Sequence, residues 1–140
     1  MPGTADIFKI VNAAVLPFWI LLIFFPKKTW RNPAVYIFCV VMSILYVVYV
    51  VTGLGDFNPE AFNSLAGVKA LFTQDEAVLG GWIHYLTFDL LMGNWIVNQG
   101  IKYKINHLLI VPCLFFCFMF GPFGYLLFSL LKLYQVKNLT

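Results

Sequence analysis

Polar positions along this chain are so sparse that the apolar stretches between them set the architecture. Four runs stand out, at about residues 6–26, 34–53, 77–98 and 107–133. Each approaches or exceeds the roughly 20 apolar residues that crossing a hydrocarbon core requires. The first run ends at PKKTWRNP, the second at the turn-forming GLGDFNPE, and the third is entered from TQDE. The fourth is long and is interrupted by Gly121-Pro122 and Gly124. Residues 56–76 are too polar to span, yet Phe62, Leu65, Val68, Leu71 and Phe72 recur near helical spacing. That spacing predicts a short amphipathic helix lying at the interface. The pattern as a whole predicts an all-α fold: one polytopic membrane domain over residues 1–140, with four transmembrane helices and an interfacial helix between the second and third.

Composition supports this reading. Apolar residues make up 61% of the chain and charged residues 11%, against about 25% charged in soluble domains, and mean hydropathy is +0.85. The net charge of +3 is scattered, so no basic cluster points to nucleic acid. Cys39, Cys113 and Cys117 all fall in apolar runs, and Cys113 and Cys117 lack the spacing and companion ligands of a metal site. They read as small packing residues. At the N-terminus, Asp6 and Lys9 lead into the first run without a basic region or small-residue cleavage site, so that span reads as retained.

Charge bears chiefly on topology. With four spans, the first and third loops share a side and carry Lys27, Lys28, Arg31, Lys102 and Lys104 without an acid. The opposite side holds Asp56, Glu60, Asp75 and Glu76 together with Lys69, Lys132 and Lys137. Counting only Lys and Arg, the asymmetry is thin, and it favours both termini outside.

The third run, GGWIHYLTFDLLMGNWIV, holds His84, Asp89 and Asn94 within otherwise oily sequence. A charge at the bilayer centre costs at least about 2.5–3.5 kcal/mol, which makes such residues functional candidates. Asp89 stands half-way along with no cation near it in sequence. It must pair across helices, become neutral or face a wet cavity, as a general acid, a proton relay or a structural hydrogen-bonding group. At about 100° per residue, His84, Thr87, Leu91, Asn94 and Asn98 form one stripe, and Gly81, Tyr85, Asp89 and Gly93 a second. Asp89 lies about 140° around from His84, which disfavours a dyad of the two within this helix. His84 itself could carry protons, ligate a metal or hydrogen-bond in a core. The chain's histidines, His84 and His107, form no HxxxH pattern, so neither a metal nor another cofactor is expected. Asn12 and Pro17 mark the first run, and Pro112 with GPFG marks the fourth, where such interruptions either line cavities or kink a helix for packing. Aromatics reach 19%, with fifteen phenylalanines. Aromatic walls suit a flat polyene, although packing and membrane interfaces use them too.

NAAVLPFW, FNSLAGVKALF, GGWIHYLTFDLLMGNWIV and HLLIVPCLFFCFMFGPFGYLL occur in this order over nearly the whole chain. Together they resemble the neoxanthin-synthase-like membrane proteins, a family named for an abscisic-acid-deficient plant mutant. The resemblance implies a role in xanthophyll metabolism, where an epoxy-carotenoid isomerises to an allenic one. That chemistry needs an acid for the epoxide oxygen and a base for a proton of the polyene. Asp89 and His84 are the implied catalytic candidates. Tyr85, Asn94, Asn12, Trp82, Trp95 and His107 are the candidates for binding a carotenoid or other polyene or lipid substrate. A plant member would carry a plastid transit peptide, which this sequence lacks, so the expected location is a bacterial inner membrane. The competing expectation is a non-catalytic carotenoid- or lipid-binding or assembly subunit of a membrane complex. A transporter or proton channel is disfavoured by the absence of inverted repeats. Four short helices enclose little volume for a C40 polyene, and Gly80, Gly81 and Gly93 allow close helix approach. A homo-oligomer or a partner membrane enzyme is therefore expected.

Overall fold

The computed structural model describes residues 3–53 and 58–137; Asp56, counted above among the loop acids, lies outside them. Among the described residues every regular element is helical: α1 (Thr4–Phe24), α2 (Arg31–Gly53), a 3-10 turn (Pro59–Asn63), α3 (Leu65–Leu71), α4 (Asp75–Lys102), α5 (His107–Phe120) and α6 (Pro122–Lys137).

Local chemistry fixes most of these boundaries. Asn58 accepts a hydrogen bond from Glu60 N at 3.0 Å to open the 3-10 turn, with Pro59 behind it, and Ser64 caps Gly67 N at 3.0 Å to open α3. Both side chains satisfy donors that a helix start leaves free. The expected amphipathic helix over residues 61–72 is therefore split in two at Ser64. In α4 the acids Asp75 and Glu76 occupy the first turn and Lys102 the last, which complements the helix dipole. Asn106 caps Leu108 N at 3.0 Å and starts α5.

α4 is the central helix. It packs against α1, α2, α5 and α6, and Leu79, Ile83, Leu86, Leu90, Ile96 and Val97 are all buried along it. α1 and α2 are the converse. Both are long and apolar enough to cross a membrane, yet only 22% and 17% of their most apolar stretches is buried. Ile10, Leu16 and Ile20 on α1, and Ile37, Val41, Ile44 and Val48 on α2, face outward. Apolar surface on that scale marks contact with lipid or a partner.

The fourth apolar run departs from the expectation of a single interrupted span. Gly121 breaks it, and α6 folds back along α5. The ring centroids of Phe116 and Phe123 come within 4.9 Å, whereas seven residues of straight helix would advance about 10 Å. Trp95 meets Tyr125 and Phe128, and Lys132 Nζ donates to Gln99 Oε1 at 3.0 Å. α6 thus ascends beside α4 in the same direction, while α5 runs opposite to it. Two features of sequence impose the reversal. Gly121 adopts φ +29°, open chiefly to glycine, and a Cβ at Gly124 would overlap the backbone of Cys117.

This hairpin overturns the expectation that both termini share a side. Thr4 and Phe8 lie beside Asp75 and Val78, at one end of α4. The C-terminal part of α6 lies at the other, where Lys132 also stands 4.2 Å over the ring of Tyr103. Lys27, Lys28, Arg31, Lys102, Lys104, Lys132 and Lys137 therefore gather at one end, which is seven of the nine Lys and Arg. Lys9 and Lys69 belong to the opposite end with Asp6, Glu60, Asp75 and Glu76.

Candidate functional site

α4 presents polar side chains on two faces, and the folded chain gives each face its own surroundings. Tyr85 and Asp89 point to the hairpin. Asp89 is 9% exposed, and its Oδ2 is buried with no hydrogen-bond partner. Its other carboxylate oxygen occupies the space that a Cβ on Gly121 would need, so the acid sits against the hairpin tip. The Tyr85 hydroxyl, one turn earlier on α4, interacts with the same carboxyl. That hydroxyl donates to Met119 O at 2.8 Å, near the end of α5, where carbonyls have run out of helical donors. Cys117 Sγ donates to the backbone carbonyl of Asp89 at 3.5 Å. α5 ends and α6 begins at this point, so the last carbonyls of one helix and the first N–H groups of the other lie near Asp89.

One helical turn from this acid, reached through Tyr85 and not lined by Asp89 itself, lies a cavity of about 340 Å³, whose lining includes Asn12, Leu16, Trp82, Tyr85, Phe118 and Met119. Trp82 Nε1 donates to Asn12 Oδ1 at 2.8 Å, and the Trp82 and Tyr85 rings are 5.3 Å apart. Four of the candidate residues, Asn12, Trp82, Tyr85 and Asp89, are thus brought together.

The remaining candidates lie elsewhere. His84 is exposed on the far side of α4, its ring 4.6 Å from Phe88 and 5.6 Å from Tyr46. It lines a separate apolar cavity of about 320 Å³ beneath Phe62, Leu71 and Phe72, and is not joined to Asp89. Trp95 packs on α6. His107, at the start of α5, has Nε2 2.8 Å from Ile23 O at the basic end of the bundle.

Asn94 belongs to a second cluster whose central member sequence reasoning missed. Arg31, at the start of α2, is only 2% exposed. Its Nε donates to Pro26 O at 2.9 Å, Nη1 to Asn94 Oδ1, and Nη2 to Asn98 Oδ1 at 2.7 Å; Asn98 Nδ2 in turn donates to Asn32 Oδ1 at 3.1 Å. All of the guanidinium's acceptors are neutral, and Asn94 Nδ2 is buried without a partner. Arg31 holds α2, α4 and the α1–α2 turn in register. The available signal was the Asn94/Asn98 pair, one helical turn apart and needing donors from another helix. Among the described residues, no three His, Cys, Asp or Glu side chains gather as metal ligands would.

These features define a class: an all-helical chain in which two outward-facing apolar helices flank a central helix that buries an acid against a broken helix. Comparison with known proteins then places it. The ABA DEFICIENT 4-like family model matches residues 6–128, and the chain belongs to that family. The chloroplastic Protein ABA DEFICIENT 4 of Arabidopsis thaliana is 28% identical over 129 residues, covering 81% of this chain and 56% of the relative. The chain therefore spans little more than half of that relative's length. The relative's chloroplast location lends no support to the expected bacterial inner membrane. No solved structure matches the chain.

Proposed function

We propose that this chain is a multi-pass membrane protein of carotenoid metabolism that isomerises an epoxy-carotenoid by acid–base chemistry at Asp89. Membership of the ABA DEFICIENT 4-like family supports the pathway. The outward apolar faces of α1 and α2 support the membrane. In place of four full spans, α1, α2 and α4 cross, while α5 and α6 re-enter from the basic face and turn near mid-depth. Asp89 stands close to the midpoint of the 28-residue α4, so the turn reaches the centre of the hydrocarbon layer. By the positive-inside rule, the seven-cation end faces the cytoplasmic or equivalent compartment.

The observation that carries the chemical reading is a buried carboxyl with an unpartnered oxygen, one helical turn from Tyr85, which with Trp82 and Asn12 rims a cavity. As the neutral acid, Asp89 donates a proton to the epoxide oxygen as the C–O bond opens. The Asp89 carboxylate left by that transfer then removes a proton from the polyene carbon next to the opened centre, forming the allene and restoring the acid, so the net change is isomerisation. Tyr85, which interacts with the Asp89 carboxyl, stands between it and the cavity, whereas His84 faces away. The cavity walls of Leu16, Phe118 and Met119 suit an apolar ligand, while Asn12 and Trp82 supply polar contacts to its oxygens.

The test is pigment analysis of an epoxy-carotenoid-producing host that expresses the wild-type chain or Asp89→Asn at matched levels. The expected result is a new xanthophyll with the wild type and none with Asp89→Asn, which still inserts and purifies normally. Equal product from both chains refutes the acid–base role. A second reading, a pigment-binding subunit without catalysis, is favoured by the modest volume of this cavity against a C40 ligand. It predicts pigment that copurifies unchanged.

A further inference from the structure

The basic end of the bundle contains a cavity that is separate from the Asp89 site and meets the Arg31 clamp only at Pro26. It measures about 480 Å³ and opens between the α1–α2 turn and the α4–α5 turn. Lys27 enters from the first turn, Lys104 and Asn106 from the second, and His107 from the first residue of α5; Ile101 and Ile110 form its apolar wall.

The turns that frame it are fixed. Ile105 N donates to Gly100 O at 2.9 Å and Lys104 N to Ile101 O at 3.2 Å, while Lys104 itself takes φ +54°. His107 Nε2, 2.8 Å from Ile23 O, ties α5 to the end of α1 across the cavity. The electrostatic setting is one-sided. Among the described residues, no acid belongs to this end of the bundle, and seven of the nine Lys and Arg do. Ile101, 45% exposed, carries the apolar wall out to the surface.

We propose that this cavity binds the phosphate of an anionic lipid headgroup. Lys27 and Lys104 supply ammonium groups for the phosphate oxygens, His107 and Asn106 offer further polar contacts, and Ile101, backed by Ile110, receives the upper carbons of an acyl chain. Basic pockets between helices on the cytoplasmic side are a recurring means of headgroup recognition. The site lies at the opposite end of the cavity-lining helices from His84 and shares no residue with the Asp89 cavity. It rests on the proposed membrane placement, not on the carotenoid reading.

Purified full-length chain, stripped of lipid in a neutral detergent, is titrated with phosphatidylglycerol, phosphatidylcholine or inorganic phosphate and followed by native mass spectrometry. The comparison variant is Lys27→Gln/Lys104→Gln, both exposed positions, with its helicity and melting checked against wild type. Phosphatidylglycerol is expected to bind wild type about 25-fold more tightly than the variant, from about fivefold per lysine. Phosphatidylcholine is expected to bind both chains as weakly as phosphatidylglycerol binds the variant. Equal phosphatidylglycerol affinity for the two chains, or equal affinity of wild type for the two lipids, overturns the proposal. Lysine-dependent binding of inorganic phosphate as strong as that of the lipid also overturns it, and reassigns the cavity to a soluble phosphate. None of these outcomes touches pigment conversion, so failure here leaves the Asp89 reading standing.

Discussion

Replacing Arg31 by Met keeps the aliphatic bulk at that position and removes the guanidinium. Asn94, already with an unpartnered Nδ2 and no exposure, then loses its bond from Arg31 and becomes a wholly unpaired buried amide. Pro26 O and Asn98 Oδ1 lose their donors too, although Asn98 keeps its bond to Asn32. Each buried orphan costs about 1–3 kcal/mol, and breaking a buried charged network costs about 3–5 kcal/mol. Against this stands the relief of no longer holding a cation among neutral amides. The net expectation is a loss of about 2–4 kcal/mol. Asn94→Leu alone should cost a similar amount, because it leaves Nη1 without its acceptor. The double variant removes both halves of the contact, so its cost should fall short of the sum by about 1–3 kcal/mol. Reversible unfolding of detergent-solubilised protein, followed by helical circular dichroism, measures all four corners of the cycle. Additivity within about 0.5 kcal/mol, or a neutral Arg31→Met, would refute the clamp.

Gly121→Ala places a methyl group where Asp89 Oδ1 now sits, on a backbone of positive φ; it should destabilise the fold by about 1–2 kcal/mol and abolish pigment conversion, and an active, equally stable variant would show that the hairpin tip does not seat the acid. His84→Gln should leave conversion at the wild-type level, since His84 is exposed on another face of α4; loss of product there would return it to the chemistry. Single cysteines at Lys27, Lys69 and Lys137 in a cysteine-free background should label from opposite sides, Lys27→Cys with Lys137→Cys and Lys69→Cys apart. Labelling of Lys137→Cys together with Lys69→Cys would restore a fourth full span.

Much of this architecture is written locally. The apolar runs at 6–26 and 34–53 correspond to Thr4–Phe24 and Arg31–Gly53, because hydropathy and flanking breakers act over neighbouring residues. The separation of Tyr85 and Asp89 from His84 follows from helical phase alone. The hairpin does not. Gly121-Pro122 is equally consistent with a kinked helix and a reversed one, and the choice rests on Gly124 meeting Cys117, a contact made only once the turn has closed. Arg31 was counted as a loop charge for the same reason. Its acceptors on α4 lie 63 and 67 residues away in sequence, beyond the reach of any periodicity.

Placed in the membrane as proposed above, the α5–α6 hairpin also constrains how such a chain is made. α5 has 14 residues, fewer than the roughly 20 that let a segment leave an insertion channel sideways as a span. Turned inward, it would carry the free backbone groups of two helix ends into hydrocarbon, at several kcal/mol per unsatisfied group. Tyr85 and Asp89 supply polar company for those groups, but only after α4 is in place. That placement requires α4 to be in position before the hairpin, which then settles as a unit along its face.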